Sequence, residues 1–171
     1  MLKKSQQPNK LLTFLQKNNL IHKRTLFKEL QEDDPELNNF PKLSIESLRD
    51  ITLGVYQVKQ APSYSKEHMC NGSYNILIHK ENQNLVKVKI QSRHIRSWVE
   101  FDPNDIQELI TSWYCTCKVG ARVVGCCSHI ASVIWFLGYE RHQENPTRVV
   151  TISTDTILDA SEVDLDYDEE E

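Results

Sequence analysis

Residues 115–129 read CTCKVGARVVGCCSH and contain four of the five cysteines of the chain, followed by a histidine. Thiols crowded in this way indicate a metal site, a disulfide cluster, a reactive thiol centre or a chance run of buried core cysteines. A Cys115–Cys117 disulfide would close a very tight ring, and a bridge between Cys126 and Cys127 would be strained. The N-terminus shows no secretory signal, so we expect a reducing, intracellular compartment, where such clusters more often bind a metal ion.

The cysteines and the histidine form two pairs with the same spacing. Cys115 and Cys117 enclose one residue, and after nine further residues Cys127 and His129 again enclose one. Zn²⁺ takes four thiolate and imidazole ligands in a tetrahedron. Cys126 is also a candidate, because Cys-x2-His is a spacing found in metal sites. The residues alone therefore leave Cys126 and Cys127 as alternatives for the third ligand.

The sequence before the cluster predicts a small antiparallel sheet. In one stretch Val86, Val88 and Ile90 alternate with Lys87 and Lys89. A period of two is typical of a half-buried strand with one solvated face. Strands are predicted over residues 74–79, 85–91, 97–101 and 108–114, and the last of these leads directly into the first cysteine.

An amphipathic helix is predicted directly after the cluster. Ser128 is a suitable N-cap, with Cys127 or Gly125 as alternatives. The helix either ends at Gly138 or continues until Pro146. Its apolar stripe consists of Ile130, Val133, Ile134 and Leu137.

The N-terminal third is predicted to be helical. Residues 10–31 carry two apolar helical faces, separated by a turn at Asn18-Asn19. Residues 32–42 are acidic and contain prolines, so we interpret them as a linker. A further helix is expected to start at Ser44.

The charge is unevenly distributed along the chain. All 20 lysines and arginines lie in residues 1–148, while nine of the 24 acidic residues lie in residues 149–171. Such a tail is typically disordered. We expect an α+β protein with a helical N-terminal region and linker (1–61), a zinc-binding domain (62–146) and a disordered acidic tail (147–171).

The pattern Cys-x-Cys, nine residues, Cys-x-His resembles the SWIM-type zinc finger. The resemblance covers roughly residues 74–142 and implies strands before the site and a helix that carries the histidine. It favours Cys127 over Cys126 as the third ligand. The implied ligands of one structural Zn²⁺ are Cys115, Cys117, Cys127 and His129.

A wider resemblance links three segments, LGVYQVKQAPSY, KIQSRH and the stretch from Trp113 to His142, to animal SWIM proteins related to DDE transposases. Those proteins carry an upstream catalytic domain for which this chain has no room. The resemblance therefore implies a truncated or domesticated relative without transposase activity. Together with the basic residues, it also suggests a nuclear location.

Several basic residues next to and within the cluster suggest contacts with nucleic-acid phosphates, with Trp98 or Trp113 available for stacking. The alternative is a solvated strand face, or a protein–protein adaptor with an apolar surface. No nucleophile–base pair, phosphate-binding glycine loop or membrane span is evident, so we expect neither an enzyme with a small-molecule substrate nor a membrane protein. The candidate phosphate contacts are Lys87, Lys89, Arg93, Arg96, Lys118 and Arg122.

Overall fold

A five-stranded antiparallel sheet forms the centre of the fold. The computed structural model describes residues 9–31, 33–53, 55–69, 74–90, 95–118 and 125–143. Within these ranges the strands are β1 (Phe27–Leu30), β2 (Asn75–His79), β3 (Leu85–Lys89), β4 (Arg96–Phe101) and β5 (Ile110–Cys115).

The strands lie side by side in chain order, and every pair of neighbouring strands is antiparallel. The four strands predicted from the sequence are confirmed, with bounds that differ by one or two residues. A turn connects β4 to β5, where Asp102 Oδ1 accepts the Asn104 N–H at 2.9 Å. Antiparallel neighbours need only short connections, which is why the local pattern located these strands well.

The prediction of a second helical segment before residue 32 was wrong at Phe27–Leu30. This stretch is β1, with Phe27 opposite His79 and Leu30 opposite Ile76. The preceding helix and the turn are confirmed, because α1 covers Lys10–Lys17 and Asn19 has a positive φ of 54°. A four-residue stretch lacks the length to show a period, so its pairing with β2 decides its conformation.

Four α-helices are described. Ser44 caps the second, as predicted, by accepting the Ser47 N–H at 3.1 Å. The third contains Pro62 and was not predicted, since proline inside a helix removes a backbone hydrogen bond. Its burial of Val58 and Ala61 against the rest of the core offsets that loss. The helices are α1 (Lys10–Lys17), α2 (Ile45–Thr52), α3 (Val55–His68) and α4 (Ser128–Gly138).

One face of the sheet packs against the helices that follow β1. We call this the α4 face, because α4 contributes more of its buried side chains than any other described element. Val86 and Val88 point into it, as the alternation in β3 predicted. The helix α3 packs against α4 and holds it on the sheet. Buried residues that α4 contributes are Ile130, Ala131, Val133, Ile134, Trp135, Phe136 and Leu137.

The opposite face, which we call the α1 face, is covered by α1 and the segment after it. Its buried residues form a smaller cluster of Leu11, Leu15, Leu20, Phe27, Leu77, Leu85 and Trp98. The expectation that this side of β3 is solvated was therefore wrong at Lys87, which is only 2% exposed. The local alternation located the lysine on the correct side of the strand, but it could not reveal that α1 covers that side.

The expected boundary between residues 61 and 62 lies inside α3, and β1 from the N-terminal region pairs with β2. The acidic tail lies outside the described residues. In the ranges that are described, no helix has the length and apolar character needed to cross a bilayer.

Candidate metal centre

The first cysteine pair lies where β5 ends. Cys115 is the last residue of β5 and is 7% exposed, and Cys117 follows it outside the strand. The Cys115 Sγ accepts the Cys117 N–H at 3.5 Å, and it also accepts the Ser97 hydroxyl of β4 at 3.6 Å. These contacts hold the sulfur at the edge of the core while the chain turns away from the sheet.

The second pair lies at the start of α4. Cys127 is the N-cap, in extended conformation, and its carbonyl oxygen accepts the Ala131 N–H at 2.9 Å. The predicted alternatives for the cap are thus resolved in favour of Cys127, and α4 ends at Gly138. His129 is the second residue of the helix. The unpaired N–H groups and the dipole of a helix N-terminus favour thiolates at this position.

Gly125 provides the backbone conformation that leads the chain into Cys127 and His129. Its φ is +84°, which L-residues rarely adopt, and a Cβ atom there would overlap the carbonyl oxygen of Thr52. The close approach places the segment before Cys127 against the end of α2.

These elements bring four potential ligands together. The Sγ atoms of Cys115, Cys117 and Cys127 and a ring nitrogen of His129 all lie within 4.8 Å of one another. Tetrahedral zinc bonds of about 2.3 Å would separate sulfur ligands by about 3.8 Å. The group is therefore close enough to hold one metal ion, and its three thiols and one imidazole are the donors that Zn²⁺ prefers.

The electrostatics of the cluster favour a cation. A hydrogen bond from the Cys127 thiol lowers the pKa of Cys115, and the same hydrogen bond, together with burial and the charge of Cys115, raises the pKa of Cys127. Thiolates on Cys115 and Cys127 would repel one another, so a proton is retained between these two sulfur atoms. A divalent cation would remove that repulsion and allow all three thiols to ionise.

Cys126 lies apart from this group. It is 1% exposed and belongs to the apolar core of the α4 face. Burial raises the pKa of its thiol to about 12. The structure thus groups Cys127, and not Cys126, with the other three residues. All four described cysteines are free thiols.

Tyr64 of α3 contacts the cluster, and sequence reasoning missed it. Its hydroxyl lies 3.3 Å from Nε2 of His129, and the two rings meet edge to face with centroids 5.2 Å apart. Burial raises the pKa of Tyr64, and so do the nearby charges of Cys127 and Cys117. No local sequence pattern indicates the contact between Tyr64 and His129, because 65 residues separate the two side chains. In addition, α3 itself was not predicted.

The predicted phosphate contacts are only partly brought together. Lys118 is exposed, whereas Lys89 and Arg96 are partly exposed. The exposed Arg24 was not predicted as a member of this group, but its charge helps to lower the pKa of Lys89, together with the larger effect of burial. Arg93 and Arg122 lie outside the described residues.

Two of the predicted contacts are buried. The Lys87 ammonium lies 4.9 Å from the centroid of the Phe27 ring and 5.1 Å from that of Trp98. Trp98 itself is fully buried. Neither side chain can reach a phosphate or a base in this conformation, whereas Trp113 is partly exposed.

Comparisons of the chain with protein-family models, with curated proteins and with solved structures found no match.

Proposed function

We propose that the chain is a zinc-stabilised α+β module in which one structural Zn²⁺ is held by Cys115, Cys117, Cys127 and His129. The observation that carries the proposal is the convergence of three sulfur atoms and one ring nitrogen within 4.8 Å. Zn²⁺ supplies the positive charge that stabilises the three thiolates together.

The proposed role of the ion is structural and not catalytic. Four protein ligands fill a tetrahedral zinc shell, which leaves no position for a water molecule or a substrate. The ligands come from the end of β5 and the start of α4, so the ion would fasten this helix to the sheet edge. Cys115 and Cys127 are also members of the apolar core of the α4 face, which couples metal binding to its packing.

The resemblance to SWIM-type zinc fingers agrees with this assignment. The motif implies strands before the site and a histidine on a helix after it. Four consecutive antiparallel strands precede the cluster, and His129 lies in the first turn of α4. This order of elements supports a SWIM-like module, and the relation to transposase-derived SWIM proteins stays part of the proposal.

Metal content of the purified, reduced protein tests the proposed site. We expect one zinc per chain by native mass spectrometry, and loss of that zinc in Cys127→Ala and in His129→Ala. The matched control is Cys126→Ala, which removes the neighbouring thiol and should retain the ion. A folded wild-type protein that takes up no zinc from a zinc-containing buffer would contradict the proposal, as would a reversed result for the two adjacent cysteines.

As a biological role for the module we propose binding to nucleic acid. Burial lowers the pKa of Lys89, and the positive charges of Arg24 and Arg96 lower it further, while the carboxylate of Glu29 acts in the opposite direction. Neither Lys89 nor Arg96 forms an ion pair with a carboxylate of the described residues. A basic group of this kind binds phosphates through charge and releases counterions, so its affinity falls as salt rises. A nuclear location would suit this role.

A groove lined by several large apolar side chains, together with polar ones, favours a second candidate, a protein–protein adaptor. The groove encloses about 560 Å³ between α2 and the turn before β5, with Leu53, Ile106 and Trp113 among its lining residues. Ile106 is 94% exposed and Leu53 64%, an unusual exposure for large apolar side chains.

Fluorescence anisotropy with labelled single-stranded DNA and RNA separates the two roles. Phosphate binding should weaken steeply between about 50 and 200 mM salt. The double variant Lys89→Gln/Arg96→Gln should weaken it further, whereas the charge-matched control Lys59→Gln/Lys66→Gln on α3 should not. If neither nucleic acid binds at low salt, the nucleic-acid role is refuted. A partner whose affinity is insensitive to salt but falls with Ile106→Ser would establish the adaptor.

A further inference from the structure

The contact between Tyr64 and His129 bears on which nitrogen of the histidine binds the metal ion. An imidazole has two ring nitrogens, and a neutral ring that binds a metal through one of them carries its proton on the other. That second N–H needs an acceptor, and in metal sites it usually has one. Nε2 of His129 already lies 3.3 Å from the Tyr64 hydroxyl.

We propose that Tyr64 is the positioning residue of the metal centre. Its hydroxyl oxygen accepts a hydrogen bond from Nε2–H of His129, so that Nδ1 is the nitrogen that binds the ion. The inference rests on the proposed zinc site and assigns within it a ligand atom, a tautomer and a partner.

The surroundings of Tyr64 make this role physically reasonable. The helix α3, which carries Tyr64, packs along α4, which carries His129, and Val58 and Ala61 are buried in the same core. The ring of Tyr64 meets the imidazole at an interplanar angle of 82°, so the ring packs against the imidazole while the hydroxyl reaches its nitrogen. The imidazole is therefore held in one orientation by both packing and a hydrogen bond.

The hydrogen bond also has an expected effect on affinity. Fixing the ring before the ion arrives reduces the rotational freedom that is lost on binding. Hydrogen-bond partners of metal ligands typically change affinity by about 10–100-fold when they are removed. Tyr64→Phe keeps the aromatic ring and removes only the hydroxyl. We therefore expect a loss near the lower end of this range, with about tenfold weaker zinc binding.

The first test reads the ligand atom directly in the wild-type protein. Long-range ¹H–¹⁵N NMR spectra of the zinc-loaded protein distinguish a metal-bound ring nitrogen from a protonated one. We expect the Nδ1 resonance of His129 to shift on zinc binding and Nε2 to carry the proton. A zinc-bound Nε2 would overturn the inference while leaving the zinc site intact.

The second test measures zinc affinity by competition with a chromophoric chelator. Tyr64→Phe should bind zinc about tenfold more weakly than wild type, and the control Tyr56→Phe, which removes an exposed hydroxyl from the same helix, should match wild type. The visible spectrum of the Co²⁺-substituted variant should still report three thiolates and one imidazole. Unchanged affinity in Tyr64→Phe would contradict the positioning role. Absence of zinc from the wild-type protein would instead refute the proposed function.

Discussion

The two faces of the sheet differ in the size and the composition of their buried cores. Among the residues that the structure describes, 26 buried ones form one continuous apolar core on the α4 face, and this core reaches the cysteine cluster. The cluster on the α1 face has seven buried residues in the same described ranges, and it also encloses the charged end of Lys87 between two aromatic rings. The larger core reaches the partly buried cysteine cluster at its edge, whereas the smaller one is covered by the eight-residue helix α1 and the segment after it.

This difference indicates where the stability of the protein is concentrated. Packing on the α4 face depends on α4 staying against the sheet, and the proposed ion would connect the two. Packing on the α1 face depends on a few large side chains, on the cap of α1, and on the burial of the Lys87 ammonium between two aromatic rings. Perturbations on the two faces should therefore differ both in size and in their dependence on zinc and pH.

The largest effect is expected from removal of the proposed ion by a strong chelator. Structural zinc contributes about 10–16 kcal/mol in small zinc modules, which is comparable to the whole stability of a domain. We expect loss of the cooperative thermal transition in circular dichroism. In hydrogen exchange, α4 and β5 should lose protection before α1 does. An unchanged thermal transition in the chelated protein would show that the α4 face does not need a metal ion.

The next largest effect is expected from Trp98→Ala on the α1 face. Trp98 is fully buried, and its ring lies 5.6 Å from that of Tyr114. Truncation of a buried tryptophan costs about 3–5 kcal/mol of unfolding free energy. Urea unfolding at a fixed zinc concentration measures this cost, and the control is Trp113→Ala, where the side chain is only partly buried. If Trp98→Ala leaves the unfolding free energy unchanged, the α1 face contributes little to stability.

A smaller, pH-dependent effect is expected from Lys87→Met. Burial, together with the positive charges of Arg96, Lys89 and Arg24, lowers the pKa of Lys87 to about 8 from its usual 10.5. Such a shift corresponds to about 3 kcal/mol against the charged folded state at about 1.4 kcal/mol per pH unit. The two cation–π contacts offset about 1–2 kcal/mol of this.

The sign of the pH dependence follows from proton binding. Between pH 8 and 10.5 the unfolded chain holds a proton on Lys87 that the folded chain has lost, so this group makes stability rise with pH in that window. Lys87→Met should therefore stabilise the protein by about 1–2 kcal/mol at pH 7, and its advantage should shrink towards pH 10.5. Urea midpoints from pH 7 to 10, with exposed Lys80→Met as control, measure this difference. A destabilised Lys87→Met at pH 7 would show that the aromatic contacts outweigh burial.

The smallest effect is expected at the cap of α1. Asn9 Oδ1 accepts the Leu12 N–H at 3.0 Å, and its Nδ2 donates to the Trp113 carbonyl oxygen of β5 at 2.9 Å. Asn9→Ala should cost about 1 kcal/mol, as for other N-caps. Asn9→Asp keeps the cap but loses the amide donor, so its unfolding free energy should fall between those of wild type and Asn9→Ala. If Asn9→Asp and Asn9→Ala are equally destabilised, the bond to β5 is the important one.

Much of the fold could be predicted from the sequence where the signal is local. The strands β2 to β5, the helices α1, α2 and α4, and the grouping of Cys115, Cys117 and His129 all follow from spacing within short windows. The choice of Cys127 over Cys126 came from the SWIM-type motif, and the structure brings the four potential ligand atoms within 4.8 Å of one another. The helix α3 was not predicted because it contains a proline, and β1 was not predicted because four residues are too few to show the alternation of a strand.

What the sequence determined by itself was the order of strands, cluster and helix, since alternation, apolar stripes and ligand spacing are properties of neighbouring residues. The tertiary structure alone decided that α1 closes over Lys87, that β1 joins the sheet, and that Tyr64 reaches His129. Those outcomes depend on contacts between residues far apart in the chain. They are driven by the free energy of burying a whole face of the sheet. This free energy depends on residues from distant parts of the chain, so no short stretch of sequence reveals it.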